Sequence, residues 1–152
     1  MNYRCAYPSD FHEVIECLRL QACESVSQFQ SDVDCSRINS AKDLWNNLKP
    51  RITYCKDPKG VELFQTYETL FYNNFHGKSG HGDCDCFVIS TLAGAAACGL
   101  PCKVVLAGRD KKTPVHIWCE VDGYAFDLTN PTFNTFRPYP FIQKFSLYVN
   151  EL

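Results

Sequence analysis

The sequence predicts an α+β domain in which helices come first, a buried helix follows and antiparallel strands come last. Three observations predict it. Apolar residues recur at helical spacing through much of the first 50 residues. Residues 84–98, CDCFVISTLAGAAAC, are apolar nearly all round, as in a helix buried on most sides. Three strand candidates then follow at 103–107, 115–121 and 124–129. Asp122-Gly123 joins the last two and is the strongest short hairpin signal in the chain.

Each element has its own justification. Residues 10–29 form an amphipathic pattern, with Phe11, Val14, Ile15, Leu18, Ala22, Val26 and Phe29 on one stripe. Ser9 or Asp10 can cap it. Residues 30–39 are a polar connector. A second helix runs from Ser40 to about Leu48, and Pro50 lies just beyond its end. Arg51 to Cys55 is a short strand candidate, and Asp57-Pro58-Lys59-Gly60 is a turn by composition. The aromatic run 61–75 is ambiguous between helix and extended chain. Residues 76–82, HGKSGHG, are a loop with three glycines. Asp83 stands where a cap for the buried helix belongs, and Gly99 where a left-handed C-terminal residue is wanted. Residues 132–142 read as irregular, and 144–149 as a final edge strand.

Composition narrows the function. The chain has 152 residues, enough for one domain with a real core, so 1–152 is read as a single unit. Within it, helices occupy 1–50, the core of the site about 51–132, and the irregular segment and edge strand 133–152. Hydrophobic residues make up 45% and charged residues 21%, which excludes a disordered chain. A net charge of -2 gives no basic excess for a nucleic acid. No apolar run approaches the roughly 18 residues that span a bilayer, and the first dozen residues lack a secretory apolar stretch. The expected location is therefore cytoplasmic. Ten cysteines in 152 residues fall below the roughly 8–10% of a disulfide scaffold, so buried reduced thiols are expected.

The hairpin carries chemistry. With a two-residue turn, Val121 pairs with Tyr124, Trp118 with Asp127 and His116 with Thr129. One face then holds Ile117, Cys119, Val121, Tyr124, Phe126 and Leu128. The other holds His116, Trp118, Glu120, Ala125, Asp127 and Thr129. His116 and Asp127 become diagonal neighbours, roughly 7–8 Å apart at the backbone. A carboxylate so placed fixes an imidazole's tautomer and supports its charged form.

Cys84 opens the buried helix directly after the glycine loop. A helix start presents free N–H groups and partial positive charge, which lower a thiol's pKa and stabilise an oxyanion. By position it is the nucleophile candidate among the ten cysteines. Cys86 lies about 200° further round and should point elsewhere.

These residues together form a pattern: Gly82-Asp83-Cys84-Asp85, an apolar helix, Gly99-Leu100-Pro101, His116-Ile117-Trp118, and Asp127-Leu128-Thr129-Asn130-Pro131. The pattern resembles the transglutaminase-like superfamily, a branch of the papain-like cysteine enzymes, over roughly residues 40–132. Ile52 to Asp57 also looks like the short strand that family places before its cysteine motif. The resemblance implies a central helix packed on an antiparallel sheet, with Cys84 as nucleophile, His116 as general base and acid, and Asp127 as orienter. The small size and motif look like bacterial or phage relatives. Where many relatives carry a second aspartate, this chain has Cys86. The family's upstream oxyanion-hole residue has two candidates, Gln65 and Tyr67, whose plain reading is packing. Trp118 and Asn130 would shape the site. His76 and His81 read as solvated loop histidines, and His12 receives no role.

The expected activity is acyl transfer from a peptide or carboxamide, with hydrolysis favoured over cross-linking. The expected partner is a protein or peptide substrate, such as cell-wall peptide or virion protein. The rival from another class is a catalytically silent module of the same fold with a binding or structural role. Zinc is a weaker alternative: on a helix at 1.5 Å per residue, Cys84 and Cys98 stand about 21 Å apart, too far for one tetrahedral site. No metal or cofactor is therefore expected.

Overall fold

A computed structural model describes residues 3–6, 11–60, 62–147 and 149. Along them run β1 (Tyr3–Ala6), α1 (Phe11–Asp32), α2 (Ala41–Leu48), β2 (Thr53–Tyr54), β3 (Glu62–Gln65) and α3 (Tyr67–Tyr72). They continue with β4 (His81–Gly82), α4 (Cys84–Ala97), β5 (Cys102–Gly108), β6 (Pro114–Val121), β7 (Tyr124–Phe126) and β8 (Phe141–Ser146). The class is mixed α and β. The main sheet has the order β7-β6-β5-β8, and every neighbour is antiparallel. β1 pairs antiparallel with β3, and β2 pairs parallel with β4. No helix among the described residues is long and apolar enough to cross a membrane.

α4 is the centre of the packing. Its residues from Asp85 to Ala95 are all buried, and it lies against α1 on one side and β6 on another. The approach is close at Gly94, where an added Cβ would stand 2.9 Å from Leu44 Cδ1 and 3.0 Å from Phe29 Cε2. Leu18, Ala22 and Phe29 of the α1 stripe are wholly buried, as the periodicity requires. α1 continues three residues past its predicted end because tertiary contacts hold its last turn. Asp32 Oδ2 accepts from the Tyr67 hydroxyl at 2.5 Å, and Tyr72 bonds the other oxygen. The proposed caps Ser9 and Asp10 lie outside the described residues.

α2 starts as expected. Ser40 Oγ accepts from the Asp43 N–H at 3.1 Å, and Asp43 Oδ2 accepts from the Asn39 N–H at 3.0 Å, a reciprocal cap. The ambiguous aromatic run is two elements divided at Thr66. Its Oγ1 accepts from the Thr69 N–H at 3.2 Å, which ends β3 and starts α3. Gly99 has φ 72 and closes α4, as placed.

The hairpin has the predicted register, with Val121 opposite Tyr124 and Asp122 and Gly123 at φ 50 and 83. Ile117, Cys119, Val121, Phe126 and Leu128 are buried beneath it. Tyr124 is the exception to the predicted apolar face: it is 46% exposed and lies beside Phe133. β7 also stops at Phe126, three residues early, because the Asp127 carboxylate draws the chain into a turn. The final strand begins at Phe141 rather than 144 and forms the sheet edge against β5.

Candidate active site

Two segments bring the predicted histidine and aspartate together. β6 carries His116 with its ring close to Trp118, 5.4 Å between centroids. The turn after β7 carries Asp127, which is 4% exposed. His116 Nε2 donates to Asp127 Oδ2 at 2.7 Å. The other carboxylate oxygen accepts from Thr129 twice, from its N–H at 3.0 Å and its hydroxyl at 2.7 Å. Lys49 Nζ pins the same turn by donating to the Leu128 carbonyl at 2.8 Å. The carboxylate is therefore held from both ends, and Nδ1 is the imidazole nitrogen left over.

Cys84 heads α4 and lines a cleft of about 100 Å³ together with His116, Ile117, Asp85 and Glu62. Its electrostatics correct the sequence expectation. A helix start argues for a lowered thiol pKa, yet the Cys84 thiol is pushed well up. Burial is the main cause, and the Asp85 and Asp83 carboxyls add to it. A hydrogen bond from the Ile117 backbone N–H acts in the opposite direction without overcoming them. Desolvation outweighs the helix end here because the half-buried Cys84 lies beside carboxyls that also resist a second negative charge.

Asp83 occupies the cap position of α4, but its side chain makes no capping bond. It belongs instead to a group of carboxyls. Burial raises the Asp83 carboxyl to about 8, with a hydrogen bond to Asp57 as the next cause. Asp85 and Glu62 share a hydrogen bond, and burial raises both, Asp85 strongly. Asp57, Glu62 and Asp83 each place a carboxylate oxygen within 4.8 Å of the others. Sequence reasoning missed this cluster because its members lie on a loop, a strand and a helix start, with no shared motif.

The two oxyanion candidates are committed elsewhere, which corrects their reading as donors to the site. Gln65 is wholly buried. Its Nε2 donates to the His81 carbonyl at 3.3 Å and to Cys86 Sγ at 3.6 Å, and its Oε1 accepts from the Phe75 N–H at 3.1 Å. The Tyr67 hydroxyl is tied to Asp32 and accepts from Arg51 at 2.9 Å. Cys86 does point away, its Sγ donating to the Leu63 carbonyl at 3.6 Å. Trp118 is 3% exposed and packs with His116, Tyr139 and Phe136. Asn130 Nδ2 donates to the Thr135 carbonyl at 2.9 Å, so it holds the following loop. Thr129 is the positioning residue that sequence reasoning left without a role. The signal was its place two residues after an aspartate, where a hydroxyl and an N–H return to the carboxylate.

His76 and His81 are not simply solvated. Both are half-buried, His81 Nδ1 lies 3.2 Å from the Ser79 carbonyl oxygen, and His76 packs edge-on to Phe75. Nine of the ten cysteines, those from Cys17 to Cys119, are free thiols.

No family model matches the chain, and no curated protein matches it. Among solved structures the chain is similar to the crystal structure of a candidate cysteine protease from Cytophaga hutchinsonii. Identity is 14%, the TM-score is 0.32, and the match covers 81% of this chain and 40% of that one. The chain thus spans two fifths of that protein's length, and a likeness this faint decides neither fold nor chemistry.

Proposed function

We propose that the chain is a thiol-dependent acyl-transfer enzyme of the transglutaminase-like, papain-like kind, with a Cys84-His116-Asp127 triad. The observation that carries this reading is the 2.7 Å bond from His116 Nε2 to Asp127, with Cys84 lining the same cleft at a helix start. In this mechanism the Cys84 thiol passes its proton to His116 Nδ1 as sulfur attacks a peptide or carboxamide carbonyl. Free N–H groups at the head of α4 take up the developing oxyanion. His116 then returns the proton to the leaving amine, and a thioester remains. Water, or an amine, resolves the thioester and regenerates the thiol. The substrate class is a peptide or amide; hydrolysis is the favoured outcome.

One observation favours the rival, a catalytically silent module. Burial and the neighbouring Asp85 and Asp83 carboxyls push the Cys84 thiol up, which disfavours a resting thiolate. Turnover of peptide and glutamine-amide substrates separates the two. The enzyme reading expects turnover that disappears in Cys84→Ala while circular dichroism is unchanged. Turnover equal in both proteins, or none by the parent on any such substrate, removes it.

A further inference from the structure

Three carboxylates that the proposed chemistry does not use converge beside α4. Asp57 comes from the loop before β3, Glu62 from the start of β3, and Asp83 from the residue before α4. One oxygen from each lies within 4.8 Å of the other two. Ligands of a single calcium ion, at 2.3–2.6 Å each, can be at most about 4.6–5.2 Å apart; around magnesium the limit is about 4.2 Å. An upper bound of 4.8 Å on every pair lies within the reach of calcium.

A second observation points to a ligand. Asp83 is 8% exposed, and its Oδ1 is buried with no hydrogen-bond partner. Asp57 shows the same half-satisfied state. Its Oδ2 accepts from the Leu63 N–H at 2.8 Å, whereas its Oδ1 is buried and unpartnered. Among the described residues, none of the ion pairs involves Asp57, Glu62 or Asp83. Buried carboxylate oxygens are ordinarily hydrogen-bonded, paired or metal-bound; no other group donates to these two, so what they have is a proton shared between the acids, and a cation in its place would satisfy both at once.

We propose that Asp57, Glu62 and Asp83 form a hard divalent-cation site able to take Ca2+, which ties the 57–62 segment to the start of α4. The ligands are all hard oxygens, which suits calcium and disfavours zinc or copper. The site stands independently of the acyl-transfer reading, because none of its three residues belongs to the triad.

The test uses Ca2+ alone, added to the full chain stripped with a chelator. Calorimetry should give one site, with a Kd on the order of 10⁻⁴ M for an incomplete oxygen cage. At 5 mM Ca2+ the melting temperature should rise by about 5 °C or more, by mass action on the folded state. Asp57→Asn and Glu62→Gln should each abolish most of the rise, measured against the same variant in chelator, with far-UV circular dichroism unchanged. Cys84→Ala should keep the full response, which separates this proposal from the catalytic one. No heat and no shift up to 10 mM Ca2+ would overturn it, and so would a shift that persists in the Asp57→Asn, Glu62→Gln double variant.

Discussion

Thr129→Val is the sharpest probe of how the imidazole is held. The substitution keeps the shape of the side chain and deletes one hydroxyl, the donor 2.7 Å from Asp127 Oδ1. Asp127 is 4% exposed, so water cannot easily replace that donor. A hydrogen bond to a charged group contributes about 1.5–3 kcal/mol. The Thr129 N–H still serves the same oxygen at 3.0 Å, which places the loss near the lower end, about 1.5–2 kcal/mol. For a chain of this length that lowers the melting temperature by about 3–8 °C. Urea unfolding of the parent, Thr129→Val, Asp127→Asn and the double variant completes a cycle. The coupling should be about 1 kcal/mol or more, because the hydroxyl's value depends on the carboxylate it serves. A ring misaligned by the loose carboxylate should also slow turnover about tenfold, the equivalent of about 1.4 kcal/mol in the barrier. If the hydroxyl costs the same with and without the Asp127 carboxylate, the account of a carboxylate clamped from both ends is wrong.

Two further outcomes follow from the core and the acid cluster. The folded Asp83 carboxyl titrates near 8 against 3.8 for an unperturbed one, so between those values the folded chain keeps a proton that the unfolded chain releases. Stability in chelator should therefore fall as pH rises from about 4 to about 8, and urea midpoints at pH 5 and pH 8 should show the fall; Asp83→Asn should flatten it. Gly94→Ala sets a methyl 2.9 Å from Leu44 Cδ1 and 3.0 Å from Phe29 Cε2, and overpacking of this kind costs about 1–3 kcal/mol. Denaturant unfolding that shows Gly94→Ala as stable as the parent would mean α1, α2 and α4 pack more loosely than these distances require.

Much of the fold and part of the site can be read from the sequence, because local signals carry them. Hydrophobic period places α1, α2 and α4, since each element must bury one face whatever its neighbours are. Asp122-Gly123 determines the hairpin register, because a two-residue turn with both residues at positive φ leaves little freedom. That register predicts His116 and Asp127 as diagonal neighbours, and the turn after Phe126 completes their contact. β1 left no usable pattern in four residues, and its pairing with β3 is a long-range event. The 61–75 run was ambiguous for a similar reason: Thr66 reads as a cap only once a helix is known to follow.

What tertiary structure alone decided is electrostatic. By sequence Cys84 is a thiol at a helix start, which favours ionisation; by structure it is a half-buried thiol beside Asp83 and Asp85, and desolvation and those carboxyls oppose it. Gln65 and Tyr67 stand at plausible spacing, yet their polar atoms are consumed by His81, Cys86, Phe75, Asp32 and Arg51. The gathering of Asp57, Glu62 and Asp83 has no trace in spacing. Periodicity and turns follow from neighbours along the chain, whereas the field at a side chain depends on which distant groups, and how little water, folding leaves around it.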